Sequence, residues 1–193
     1  MKIQRRMSIS APRQTRLARS TCRTISRKDF DREKLGWFLA GFVEGEGSFN
    51  VSLRKKSDYK LGWQVVLSFN VSQKEREILE LLKEELGCGI IKVRKFDGLH
   101  SLDITNPEEV IFKVIPYFQK FYLLSEAKTK NFEIFCQIAS LMAQGEHKTK
   151  RGLKKIVKLR ELLNEGKARK RKYEYRDVFP VKISPETIRR RPV

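Results

Sequence analysis

At 193 residues the chain has room for one folded domain with tails, and 40% apolar residues, including 12 Phe, supply a single core and exclude disorder throughout. A formal net charge of +19 and a pI near 10.1 require a polyanionic partner, which nucleic acid or an anionic membrane surface would satisfy. No apolar run approaches the roughly 18 residues that span a bilayer, so a transmembrane protein is excluded and a soluble one expected.

Residues 1–28 carry nine Lys or Arg and no Asp or Glu, mixed with Ser, Thr and Pro and without helical periodicity. They read as lying outside the fold, either as an organellar targeting peptide, which is rich in Arg and Ser and poor in acids, or as a flexible basic tail that grips phosphates. The folded domain is expected over residues 29–166. Phe30, Asp31 and Leu35 predict a helix start, with Asp31 as N-cap and Phe30 stapled to Leu35, and the helix should run to about residue 45. Residues 48–56 then alternate, with Phe49, Val51 and Leu53 inward and Asn50, Ser52, Arg54 and Lys56 outward. The next run repeats this, with Val65, Leu67, Phe69 and Val71 inward and Gln64, Ser68, Asn70 and Ser72 outward, so the two form a long hairpin.

A Glu-rich amphipathic helix is predicted over 74–86, ending at Gly87, followed by strands near 89–95 and 99–105. Pro107 opens another helix, over about 107–119, and a further one covers 127–144. Within 151–163, Leu153, Ile156, Val157, Leu159, Leu162 and Leu163 recur at helical spacing, with Lys154, Lys155, Lys158 and Arg160 expected outside. The basic run Lys167 to Lys172 opens a C-terminal tail, 167–193. Residues 146–176 hold thirteen basic residues against four acidic ones, whereas 29–145 hold sixteen against seventeen, so the positive charge is mostly terminal and favours phosphate contact.

The element order is α, β, β, α, β, β, α, α, an α+β arrangement with a four-stranded antiparallel sheet covered by helices on one face. The other face carries Ser, Asn, Gln, Lys and Arg, the side chains that reach base edges and phosphates in a major groove.

Leu39 to Gly47 read Leu-Ala-Gly-Phe-Val-Glu-Gly-Glu-Gly. This stretch resembles the LAGLIDADG signature at every small and apolar position and keeps both acidic ones, at a predicted helix end followed by an alternating strand. The resemblance covers roughly residues 30–165 and implies a LAGLIDADG homing endonuclease fold, an αββαββα core with a DNA-binding sheet and extra C-terminal helices. Gly36, Ala40, Val43 and Gly47 share one helix face where another helix could approach. The motif occurs once, so the resemblance implies a homodimer in which this helix packs on its copy about a two-fold axis.

The three cysteines, Cys22, Cys88 and Cys136, are odd in number and far apart, which fits neither a disulfide framework nor a CxxC zinc site, and there are only two histidines, so any metal should be oxygen-bound. Glu44 and Glu46 close the motif helix at its C-terminal end, where the dipole disfavours acids, a local cost that points to function. The resemblance assigns Glu46 and the Gly45 carbonyl to Mg²⁺, with Mn²⁺ able to replace it, and gives Glu44 a more structural role. It further implies Gln73 as a water-organising residue, Arg76 as a basic residue of the following helix, and Lys128 as the active-site lysine, with Lys130 or Glu126 as alternatives at that place. For DNA reading it points to Ser52, Arg54, Lys56, Gln64, Ser68, Asn70, Lys92 and Arg94, each good bidentate contact contributing about 1 to 3 kcal/mol of base discrimination.

The implied activity is cleavage of a long, roughly palindromic DNA site, both strands cut with short 3′ overhangs, promoting intron mobility. Two other functions fit the same residues: an RNA-binding maturase of the host intron, and a DNA-binding regulator that has lost cleavage. No membrane partner is expected, and the setting would be a chloroplast, a mitochondrion or a bacterial cytoplasm.

Overall fold

The computed structural model describes residues 31–164 and 171–180. The basic segment 1–28, the Phe30 half of the staple, and residues 167–170 and 181–193 of the C-terminal tail lie outside the described residues. The elements run α1 (Arg32–Glu46), β1 (Gly47–Lys55), β2 (Trp63–Gln73), α2 (Arg76–Leu86), β3 (Ile90–Val93), β4 (His100–Ile104), α3 (Pro107–Glu109), a π-helical turn (Val110–Val114), α4 (Ile115–Lys120), α5 (Glu126–Ala143), a 3₁₀ turn (Glu146–Lys148), α6 (Lys150–Leu162) and α7 (Tyr175–Val178). All strand pairs are antiparallel, in the order β1-β2-β4-β3. This is the expected α+β arrangement.

Local chemistry sets the helix boundaries. Lys34 N donates to Asp31 Oδ1 at 2.7 Å, the N-cap bond that starts α1. Asn106 caps α3 with Pro107 in its first turn, Ser125 caps α5 and Thr149 caps α6. Gly87 ends α2 at φ 63, a left-handed conformation in which its N–H reaches the carbonyls of Lys83 and Glu84.

The register places Phe49 opposite Phe69, Val51 opposite Leu67, and Val71 opposite Leu102, so the inward residues of three strands form one apolar floor. Phe49 is its centre. Its ring centroid lies 5.2 Å from Phe69, 5.7 Å from Phe118, 5.0 Å from Phe132 and 5.3 Å from Phe135, which joins β1 and β2 to α4 and α5. Such tilted and edge-on aromatic contacts add about 0.5 to 1.5 kcal/mol each beyond the area they bury.

Four features depart from the sequence reading. The helix expected over 107–119 is split by a π turn: Ile115 N–H bonds back to Val110 O, five residues away, just before Pro116. Proline has no N–H to give and crowds the carbonyl four residues back, and the widened turn relieves that crowding. Strands β3 and β4 are shorter than expected, and Arg94 leaves the ladder for a turn in which its N–H donates to Leu99 O.

The α1 face formed by Gly36, Ala40, Val43 and Gly47 is turned into the chain itself. A Cβ on Gly36 would stand 2.2 Å from Phe121 Cζ, and Leu39 and Val43 are fully buried. The opposite face, with Phe38, Gly41, Phe42 and Gly45, is the one at the surface, and nothing lies within 4 Å of a Cβ built on Gly41 or Gly45.

Arg160, expected outside, is buried at 5% exposure, while Leu162, expected inside, is 47% exposed. The exchange has a cause in the sheet. β1 is an edge strand, and Arg160 Nε donates to Val51 O at 2.9 Å while Asn164 Nδ2 donates to Phe49 O at 3.1 Å, so the end of α6 covers carbonyls the ladder leaves open.

Because the Phe121 ring fills the place of a side chain at position 36, Gly36→Ala is expected to lower unfolding free energy by about 1 to 3 kcal/mol. Urea denaturation measures this, and an unchanged midpoint would mean that the ring does not rest on the helix.

Candidate active site and nucleic-acid interface

Helix α1 passes into β1 without a loop: Glu46 is the last helical residue and Gly47 the first of the strand. Gly47 N–H donates to Val43 O, and a Cβ there would stand 2.4 Å from Val43 Cγ1 and 2.7 Å from the Val43 carbonyl, so only glycine makes this turn. The last turn of α1 holds no basic residue.

The two motif acids have different surroundings. Glu44 accepts from Leu124 N at 2.8 Å and from the Ser125 hydroxyl, which fastens the end of α1 to the start of α5, where a helix favours negative charge. Glu46 is exposed and makes no hydrogen bond or ion pair among the described residues.

From the first turn of α5, Lys128 donates its Nζ to Gly47 O at 2.6 Å, which brings an ammonium to the residue next to Glu46. Gln73 ends β2 two residues beyond Val71, the partner of Gly47, and so stands at the same end of the sheet. Its Oε1 accepts from Lys74 N at 2.7 Å. Arg76 lies at the start of α2 with its Nε on Glu80 Oε1 at 2.7 Å, an ion pair along the helix.

The sheet face turned from the core is a polar array, half-buried along β1 and β2 apart from exposed Arg54 and buried Val66. Its register sets Asn50 beside Ser68, Ser48 beside Asn70 and Arg54 beside Gln64, with Ser52 opposite Val66. Lys56 stands just beyond β1 in the hairpin turn, its N–H donating to Gly62 O at 3.0 Å. Lys92 and Arg94 come from the β3 side, Arg94 paired to Asp97 at 3.0 Å.

Sequence reasoning missed Asp103, which the alternation of β4 sets outward between Leu102 and Ile104. It accepts from Asn70 Nδ2 at 2.7 Å, from Lys92 Nζ at 2.9 Å and from Ser101 Oγ at 2.7 Å, so two of the expected reading residues are fastened to one carboxylate. Burial alone would raise this carboxyl, but the hydrogen bonds from Lys92, Ser101 and Asn70 together hold it below the ordinary aspartate value. His100 was also missed; its Nδ1 lies 2.9 Å from Lys74 O, across the ladder from Gln73.

Among the described residues no group of three or more His, Cys, Asp or Glu forms a metal cage, and no helix is long and apolar enough to cross a membrane. The Cys88 and Cys136 thiols are unpaired, and burial first, then Glu133, pushes Cys136 up to about 11.

A helix that ends in two acids at the rim of a polar four-stranded sheet defines a class, and the sequence pattern described as LAGLIDADG endonuclease matches residues 39–139. The chain belongs to that family. It is 35% identical over 151 residues to a probable intron-encoded endonuclease of Neurospora crassa, a match that covers 75% of this chain and 32% of that protein. The chain thus spans about a third of the length of that curated relative.

Among solved structures, the homing endonuclease I-TnaI superposes with a TM-score of 0.64 at 33% identity, covering 68% of this chain and 89% of that one. The I-SmaMI LAGLIDADG homing endonuclease bound to cleaved DNA superposes with a TM-score of 0.66 at 36% identity, covering 75% of this chain and 47% of that one.

The depressed carboxyl of Asp103 gives a signed prediction. Its contribution to stability is complete above the unfolded aspartate pKa, about 3.9, and is lost as pH falls through the lower folded value. The stability gap between wild type and Asp103→Asn, followed by urea unfolding at a series of pH values, should be widest near neutrality and close on acidification. A gap independent of pH would show that the ionised carboxylate holds nothing.

Proposed function

We propose that the chain is a metal-dependent homing endonuclease that, as a homodimer, hydrolyses both strands of a long, roughly palindromic DNA site and so promotes the spread of its intron. The observation that carries this reading is the exposed Glu46 carboxylate at the end of α1, with the Lys128 ammonium at the next residue and a polar sheet face leading away from it. The probable intron-encoded endonuclease of Neurospora crassa and the cleaved DNA bound by I-SmaMI support it.

The donor chemistry fits a hard cation. Glu46 and the Gly45 carbonyl offer oxygen ligands on exposed residues, and Mg²⁺ is commonly held by one or two carboxylates with water and substrate phosphates completing the shell. Bound there, Mg²⁺, or Mn²⁺ in its place, supplies Lewis-acid polarisation of the phosphate and a more acidic water. An I-SmaMI structure obtained with calcium ions supports a divalent cation in the family.

The chain's own residues do the rest. Serines, Asn70, Gln64, Arg54, Lys56, Lys92 and Arg94 on the sheet face align the duplex, and the phosphate to be cut comes to the end of α1. There the Lys128 ammonium stabilises the charge that grows on the phosphoryl oxygens, and Gln73 orients the attacking water through its amide. Arg76 would need to leave Glu80 to join them.

Two cuts need two such ends. The surface face of α1 carries Phe38, Gly41, Phe42 and Gly45 at positions spaced by three and four, and the open space over Gly41 and Gly45 lets a second copy of the helix approach closely about a two-fold axis.

Two experiments test this. A cleavage selection on a randomised, near-palindromic DNA library with Mg²⁺ should recover a defined site cut by wild type and left intact by Glu46→Gln, which still binds it. If neither protein cuts, nuclease activity is refuted and binding of the host intron RNA becomes the reading to measure. In sedimentation, wild type should run as a dimer and Gly41→Leu, whose Cβ would have nothing within 4 Å, as a folded monomer. A wild-type monomer on its cut site would sink the symmetric arrangement.

A further inference from the structure

A second feature lies beside the sheet face, where one wall comes from residues beyond the 39–139 that the family pattern matches. Between β1 and the segment that follows α6 is a cleft of about 430 Å³. One wall is the edge of the polar face, including Asn50, Ser52 and Ser68; the other includes Arg160, Arg171 and Lys172.

The cleft is a built one. Arg160 is anchored on both sides, Nε to Val51 O at 2.9 Å and Nη1 to Tyr173 O at 2.8 Å. Arg171 Nη2 donates to Arg160 O at 3.0 Å and Leu163 O at 2.6 Å, which closes the C-terminal end of α6 with a cation, as a helix dipole favours. Just beyond α6, Asn164 takes φ 57, with its N–H on Asn131 Oδ1 at 2.7 Å. These bonds use part of each guanidinium. Nη2 of Arg160, and Nε and Nη1 of Arg171, make no hydrogen bond among the described residues.

Among the described residues the charge is one-sided. Arg160, Arg171 and Lys172 form no ion pair there, and Arg160, the one of the three that is buried, would ordinarily have a counter-ion. Burial first, then the field of Arg171, lowers the Arg160 guanidinium from its ordinary value; Glu161 opposes this weakly and is itself engaged by Tyr175 N at 2.7 Å. Three cations around a polar cavity, with donors to spare and no acid among the described lining residues, match an anion brought from outside.

We propose that this cleft is a phosphate-binding subsite that grips the sugar-phosphate backbone of the duplex DNA flanking the bases read by the sheet. The inference rests on the DNA-binding part of the reading above. The occupant follows from continuity: the cleft shares Ser48, Asn50, Ser52, Ser68 and Asn70 with the polar face, so a duplex seated on that face brings its backbone past Arg171 and Lys172. A phosphate contact of this kind adds affinity without reading sequence.

The test uses the full chain and two unrelated mixed-sequence duplexes, with no divalent metal, and follows binding as salt rises from about 50 to 200 mM. Lys172→Gln should weaken binding equally on both duplexes and flatten the slope of log affinity against log salt by about 0.9, the value for one phosphate contact; Arg171→Gln combined with it should flatten the slope by about twice that. Lys172 is exposed, so its variant decides the matter alone if thermal unfolding shows that loss of the Arg171 cap unfolds the double variant. If wild type binds both duplexes and the variants keep its slope, the subsite is overturned and the reading of the sheet face stands. If wild type binds neither duplex, both fall. A change of slope on a single-stranded RNA of equal length, with none on the duplexes, overturns the assignment to DNA.

Discussion

The structure depends on one junction, the direct passage of α1 into β1 at Glu46 and Gly47. A chain that turns from helix to strand without a loop needs a residue with no side chain at the turn, and Gly47, wedged against Val43, is that residue. The same turn exposes the last helical residues and sets the first residue of the sheet beside Val71 of β2. From there the chain has little freedom. Phe49, two residues on, must point into the core, and its contacts with Phe69, Phe118, Phe132 and Phe135 fix where the helices lie. A surface carboxylate and a buried aromatic ring are thus held in one register.

The two acids of the motif show how similar side chains part company. Both stand at a helix end that disfavours them, yet Glu44 gains the amide of Leu124 and the hydroxyl of Ser125 at the start of α5, and the unfavourable end of one helix is offset by the favourable end of another. Glu46 has no such compensation from the described residues. The far edge of β1 is treated differently again, because its outward carbonyls are taken by Arg160 and Asn164 from a segment more than a hundred residues away in sequence. An edge that could have paired with another chain is closed by side chains instead of by a strand.

Much of this was legible in the sequence because alternation and helical spacing are local. The β1 and β2 faces, the caps at Asp31 and Ser125, and the left-handed end at Gly87 could be read from neighbouring residues or fit what those residues favour. What escaped was long-range. The sequence shows that Gly36, Ala40 and Val43 share a face, but not that Phe121 fills it. Arg160 sits in a run of basic residues and nothing nearby marks it as the one whose guanidinium is buried on Val51. Asp103 occupies an outward position in a strand whose existence was expected, but its importance lies in the partners supplied by β2 and β3. Lys128 was singled out with neighbours as rivals, and only the fold carries its ammonium to Gly47.

On the proposed DNA-reading role of the sheet face, the cluster around Asp103 bears on how that face would change its preferences. Asn70, Ser101 and Lys92 come from three strands and share one acceptor, so replacing any of them releases or reorients the others. Substitutions in contact through one network do not add. A search for altered sequence preference that varies these positions one at a time would therefore sample mostly broken networks. Varying all four together treats them as a single letter of the alphabet, while Arg54 and Gln64, at the other end of the hairpin and outside this network, could be changed one by one.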